Sequence, residues 1–132
     1  MILMREREEV EGKLRTADGY IDNFFRALAK GEIDKAGEFL WAALNALVLA
    51  LALIEGRRLP AKHGPIRDFI RGLSLRLRDD AIWTAFRNAE KLHANFYTPG
   101  IFEEEELRQM CDDVLLLVKK LYDMVERELE RR

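Results

Sequence analysis

Apolar residues recur at Val10, Leu14, Ala17, Ile21, Phe24 and Leu28, in steps of four and three. That period is one stripe of an α-helix. Gly12 and Gly19 lie inside it, each costing about 1 kcal/mol relative to alanine, so packing rather than propensity must hold this helix. Gly31 marks its end. A second helix is predicted from about Ile33 to Glu55, stopping at Gly56. Between Phe39 and Ile54 only Asn45 is polar. That apolar stretch spans about 24 Å as a helix, short of the roughly 30 Å hydrocarbon core of a bilayer. Charges bracket it at Glu38, Glu55, Arg57 and Arg58. It reads as a central helix wrapped by neighbours rather than a membrane span.

A basic connector follows, Arg57-Arg58-Leu59-Pro60-Ala61-Lys62-His63-Gly64-Pro65. Pro65 suits the first turn of a third helix. Ile66, Phe69, Ile70, Leu73 and Leu77 supply its apolar face. The stretch from Leu73 to Arg78 also alternates with period two, but an isolated strand would have no partner, so helix is retained. Asp79 or Asp80 is a good N-cap for a fourth helix with Ile82, Phe86, Ala89, Leu92 and Phe96 on its apolar face. Thr98-Pro99-Gly100 ends it. The last helix opens with Glu103 to Glu106, favourable at the positive end of the helix dipole, and closes with Arg127, Arg131 and Arg132 at the negative end. Its stripe is Leu107, Cys111, Val114, Val118, Leu121 and Val125, widened by Met110, Leu117 and Met124. The fold expected is all-α, an up-and-down bundle of about five helices with short connections, forming a single domain over residues 1–132.

Composition changes this picture little. The 132 residues are 48% hydrophobic and 35% charged, which excludes a disordered or collagen-like chain. One cysteine, Cys111, makes no internal disulfide, and no Cys/His cluster has zinc spacing. No metal and no cofactor is expected, and there is no Gly-rich phosphate loop. The start Met1-Ile2-Leu3-Met4-Arg5 has no basic-then-apolar targeting pattern. A cytoplasmic, membrane-free protein is the expectation. The scarcity of Gln, Ser and Cys beside many charges is the composition of a thermophile.

Charge is more informative when resolved along the chain. The 22 basic and 24 acidic side chains give a net −2. Yet residues 57–78 hold seven basic side chains (Arg57, Arg58, Lys62, Arg67, Arg71, Arg76, Arg78) against Asp68 alone. The acidic surplus falls in residues 92–132. Such a basic segment suits phosphates of RNA, DNA or a nucleotide. It equally suits a solvated helix face whose arginines pair with the acidic last helix. The candidate binding residues are His63, Arg67, Arg71, Arg76, Lys91, Asn95 and Tyr97.

RNA cleavage needs a group that titrates near neutrality and a fixed cation for the phosphorane. His93 and Arg87 are those groups, about 9 Å apart along the fourth helix and roughly 120° around it. Alternatively, His93 is a structural histidine held by a backbone carbonyl or by Glu90 one turn earlier.

Arg87-Asn88, four residues, then His93 resembles the Arg-x(4–6)-His motif of HEPN domains. The stretch from Gly31 to Ala43 is similar to HEPN proteins as well. Leu92-His93-Ala94-Asn95-Phe96-Tyr97 resembles more closely the archaeal paREP group of HEPN-like helical proteins. The resemblance covers roughly residues 15 to 125. It implies a homodimer that brings two Arg–His motifs into one cleft. Active members are metal-independent endoribonucleases, often toxins or defence components. Others bind nucleotides without cleaving RNA, or work beside a nucleotidyltransferase-type partner. Carried over, His93 assists attack by the 2′-hydroxyl or protonates the leaving oxygen, Arg87 holds the phosphate, and Asn88 orients the site. Active toxins often carry Tyr two residues after the His, where Asn95 stands here. The resulting expectation is a nucleotide- or RNA-binding or interaction module, with RNA cleavage at a composite Arg–His cleft as the alternative.

Overall fold

The computed structural model describes residues 2–131. It is an all-α bundle of five helices: α1 (Met4–Ala29), α2 (Ile33–Ile54), α3 (His63–Leu77), α4 (Asp80–Tyr97) and α5 (Glu104–Arg131). Arg132, assigned above to the end of the last helix, lies outside the described residues. α2 is the axis of the assembly and packs against each of the other four helices. From Leu40 to Ile54 only Ala42, Asn45 and Leu49 escape full burial. With its first turn α2 reaches 22 residues, so length and apolarity alone would let it cross a membrane. Its surroundings explain its composition: 67% of its most apolar window is buried inside the bundle.

The predicted stripes are the buried faces, with local exceptions. Val10, Ala17 and Phe24 of α1 are buried, as are Leu107, Cys111, Val114, Val118, Leu121 and Val125 of α5. Leu77 and Phe96, assigned to core faces, are exposed instead, each at the last turn of its helix where the neighbouring helix has run out. α1 starts at Met4, six residues before its apolar stripe. Polar bonds tie down this charged first turn and a half. Arg58 donates both Nη groups to Glu9 at 2.9 Å. Arg7 donates to the Leu129 carbonyl of α5.

The turns are sharp and follow residue chemistry. Gly31 (φ 76°) and Gly56 (φ 79°) close α1 and α2 in the left-handed region, where a side chain is strained. Asp79 is the N-cap of α4, accepting from the Ala81 backbone N–H at 3.1 Å. Between α3 and α4, Arg78 adopts φ 52°, rare for a residue with a Cβ. Buried Ser74 holds that joint, donating its hydroxyl to the Asp79 carbonyl at 2.8 Å. The Asp79 N–H donates back to the Ser74 carbonyl at 3.0 Å. This brace sets how α4 leaves α3, and the candidate residues sit on those two helices.

Candidate functional site

Helix geometry spreads the polar residues of α4 around its axis at 100° per residue. Trp83, Arg87 and Glu90 share one side, and His93 is displaced from Glu90 by about one sixth of a turn. Glu90 therefore lies between Arg87 and His93. α3 delivers His63 and Arg67 to the same carboxylate. Glu90 Oε2 is 2.6 Å from His63 Nε2 and 3.8 Å from Arg67 Nε, and its Oε1 takes Arg87 Nε at 2.9 Å. The Glu90 side chain is only 13% exposed, so it is a firm anchor for three cation-forming groups.

His93 does not use Glu90. Its Nδ1 bonds Glu38 of α2, at 2.9 and 3.2 Å from the two carboxylate oxygens. A carboxylate there requires Nδ1 to carry the proton, which leaves Nε2 as the basic nitrogen of the neutral ring. Nε2 makes no hydrogen bond among the described residues. The ring stacks on Trp41 at 4.7 Å with an 18° interplanar angle, and Tyr97 meets its edge at 5.2 Å. Trp41 also touches His63 at 5.1 Å, and the two imidazoles lie 6.5 Å apart. Each histidine thus has a carboxylate, and one tryptophan separates them.

Beyond Glu90, three guanidinium carbons gather on Trp83: Arg71 at 4.7 Å from the ring centroid, Arg67 at 5.5 Å and Arg87 at 5.8 Å. Trp83 is itself stacked on the buried Phe86 at 6.0 Å. Cations over an indole face are stabilised by the ring quadrupole, which offsets part of their mutual repulsion.

Six of the candidate residues thus form one continuous strip: Arg71, Arg67, Arg87, His63, His93 and Tyr97, the last 70% exposed. The others lie elsewhere. Asn88 turns toward α5, donating to Asp113 at 3.1 Å. Arg76, at the far end of α3, is paired with Glu55 at 2.8 Å. Lys91 is exposed and makes no ion pair among the described residues. Asn95 is 1% exposed and donates to Asp34 at 2.7 Å, tying α4 to the first turn of α2. Its Oδ1 is buried without a partner. Neither Arg67 nor Arg76 pairs with the acidic α5, and Arg71 makes no ion pair among the described residues. Glu38, Trp41, Glu90 and Trp83 are the members the sequence reading did not assign to the site. Glu38 carried a signal: it is the carboxylate directly before the apolar run Phe39 to Ile54, where a partly buried charge needs a partner.

Among the described residues, no group of three or more His, Cys, Asp or Glu side chains is placed to hold a metal ion. Cys111 is buried, and burial pushes its thiol up to about 12, so it is an inert packing residue.

Fold and site together define a small helical-bundle protein whose aromatic and cationic groups converge on one α3–α4 face. The model of the archaeal PaREP1/PaREP8 family matches residues 12–118, and the chain belongs to that family. The matched span contains every residue of the strip. Comparison with curated proteins and with solved structures found no match.

Proposed function

We propose that this protein is a HEPN-like module that binds RNA or nucleotides through the α3–α4 strip. The observation that carries the reading is the gathering of Arg67, Arg71 and Arg87 on Trp83 with Glu90 as their one carboxylate partner. Guanidinium groups hold phosphates, and exposed aromatic or imidazole rings accept stacked bases. The test is binding of a labelled single-stranded RNA followed by anisotropy. Arg71→Ala is expected to weaken it about tenfold, the loss typical of one phosphate contact of ~1.4 kcal/mol. Arg76→Ala, held by Glu55 away from the strip, serves as control. Affinity should also fall steeply with salt. Equal affinity in wild type and Arg71→Ala removes the reading.

A second reading, RNA cleavage, is favoured by the Glu38–His93 pair. With Nδ1–H held by Glu38, Nε2 is placed to take the proton of a 2′-hydroxyl, and Arg87 would hold the attacked phosphate. In this reading a homodimer joins two such halves, and exposed Tyr97 on the His93 ring, with exposed Phe96 packed on Tyr97, offers apolar surface for it. RNA is incubated with wild type and with His93→Ala in EDTA. Product from wild type alone is the expected result. Equal product from both, or none from either, ends it.

A further inference from the structure

Arg87 Nε lies 2.9 Å from Glu90 Oε1, and Arg67 Nε lies 3.8 Å from Oε2, an ion pair too long for a hydrogen bond. Their Nη1 and Nη2 groups, and the whole guanidinium of Arg71, make no hydrogen bond among the described residues. Three guanidinium forks are therefore gathered on one indole with their terminal donors unused. Arg67 and Arg87 are about half exposed, at 43% and 49%, so the forks are reachable from solvent. The formal charge of the set is three cations less Glu90, a net of two positive charges, with no second carboxylate bonded to it.

That surplus discriminates between kinds of phosphate. An internal phosphodiester carries one negative charge and two free oxygens. A terminal phosphomonoester carries nearly two negative charges at neutral pH and three acceptor oxygens. Planar forks bind such oxygens two at a time. We propose that the Arg67–Arg71–Arg87 cluster on Trp83 is a receptor for a phosphomonoester dianion, the terminal phosphate of a mononucleotide or of an RNA end. This narrows the ligand of the proposed RNA- or nucleotide-binding strip and rests on that reading only for the nature of the attached group. Trp83, stacked on Phe86, offers one ring to all three cations before ligand arrives. His63, on the same Glu90, lies beside the phosphate toward Trp41 and His93, where the attached base or chain would run.

The experiment compares two oligoribonucleotides of one sequence, one with a 5′-phosphate and one with a 5′-hydroxyl, each labelled at the 3′ end. Anisotropy gives Kd for the full chain and for Arg71→Ala and Arg87→Gln. Adenosine 5′-monophosphate and adenosine are added as competitors. The expected result is at least tenfold tighter binding of the 5′-phosphate RNA, with the advantage shrinking below twofold in both variants. Thermal unfolding confirms that the variants remain folded. Competition by the monophosphate but not by adenosine assigns the site to free nucleotides. Discrimination of the RNA ends without such competition assigns it to RNA termini. Either supports the receptor. Equal affinity for the two ends overturns it, as does an advantage that survives in both variants. If both RNAs bind equally and Arg71→Ala weakens both, the terminal-phosphate receptor falls while general RNA binding stands. If neither RNA binds, calorimetric titration of the full chain with the monophosphate decides: binding that is lost in both variants leaves the receptor standing while RNA binding falls. If nothing binds, both fall.

Discussion

Gly37 tests the geometry that places Glu38 beside His93. Gly37 is buried in the first turns of α2, where α2 passes closest to α4. A Cβ at this position would lie 3.0 Å from Leu92 Cδ2, 3.3 Å from its Cβ and 3.4 Å from its Cγ. The Cδ2 could swing away, but the Leu92 Cβ is fixed to the α4 backbone. Leu92 is also fully enclosed, so its side chain has nowhere to rotate. Gly37→Ala therefore forces α2 and α4 apart by a few tenths of an ångström. Overpacking of this kind costs about 1–3 kcal/mol. Alanine in a helix interior returns about 1 kcal/mol of propensity. The net expectation runs from near zero to about 2 kcal/mol of destabilisation. Gly19 and Gly72 provide the internal standard: both are exposed within helices, with nothing within 4 Å of an added Cβ. Gly19→Ala and Gly72→Ala should each stabilise by about 0.5–1 kcal/mol. Urea unfolding of the three variants measures the contrast directly. In thermal scans a difference of 1 kcal/mol amounts to about 3–5 °C in a chain of this size. A Gly37→Ala variant that gains as much stability as Gly19→Ala would show that α2 and α4 are not in this contact, and the Glu38–His93 pair would lose its support.

Other outcomes follow from single features of the fold. Glu38→Leu, which removes the acceptor, should leave the fold intact but release His93 from its one tautomer. Long-range proton–nitrogen spectra at pH 8 should show Nδ1 alone protonated in wild type and a mixture in the variant, and an unchanged tautomer would refute the role given to Glu38. Phe86 is fully buried and carries Trp41 at 5.8 Å and Trp83 at 6.0 Å. Phe86→Ala should therefore cost about 3–5 kcal/mol in denaturant unfolding, and a loss under 1 kcal/mol, smaller than a typical Ile→Val cavity, would contradict its place in the core. Cys111 is raised from the ordinary thiol range, near 9.0, to about 12 by burial. The folded state thus keeps the proton that the unfolded chain gives up, so stability falls as pH rises above 9.0, by up to about 1.4 kcal/mol per unit. Cys111→Ala should flatten that alkaline decline, leaving the smaller one from Tyr122, which burial and Asp18 also raise to about 12; an equally steep decline in the variant would contradict the assignment.

Four helices were legible because burial of one face imposes a period, and α2, buried on nearly every side, was legible from its unbroken apolar run. What lacked both signals was missed. The first turns of α1 are held by Arg7 and Glu9 through bonds to Leu129 and Arg58, which no spacing reveals. Leu77 and Phe96 obey the helical period but sit at helix ends, so the pattern overstated their burial. Within the site, α4 alone could be placed by counting residues. Counting set Arg87 and His93 apart around the helix and offered Glu90 as the carboxylate one turn from His93. The packing of α2 on α4 supplied Glu38 instead, 55 positions away in the chain. Glu90 was then left to α3. Asn88 was expected beside Arg87, yet adjacent residues on a helix diverge by about 100°, which turns Asn88 toward Asp113 of α5.

The basic segment stood between two readings, an open phosphate-binding face or arginines neutralised by the acidic last helix. The ion pairs separate these. The acidic groups of α5 bond elsewhere: Asp113 accepts from Asn88 and Gln109, and Glu104 is paired with Arg108 one turn on. α5 also supplies a cation to the basic stretch's neighbour, Lys120 on Asp79, which holds the Asp79 carboxyl below the usual carboxylate range. Two arginines of the segment find carboxylates, Arg58 on Glu9 and Arg76 on Glu55, while Arg57, Lys62 and Arg78 make no ion pair among the described residues. Of the three on Trp83, Arg67 and Arg87 share Glu90, and Arg71 makes no ion pair among the described residues. Three cations thus meet at Trp83 against one carboxylate. A solvated face would have no reason to concentrate its unbalanced charge on one tryptophan, since like charges lower their energy by spreading apart. Concentration against that gradient supports the proposed phosphate site, and it is why the Arg71→Ala and Arg76→Ala variants are expected to part ways.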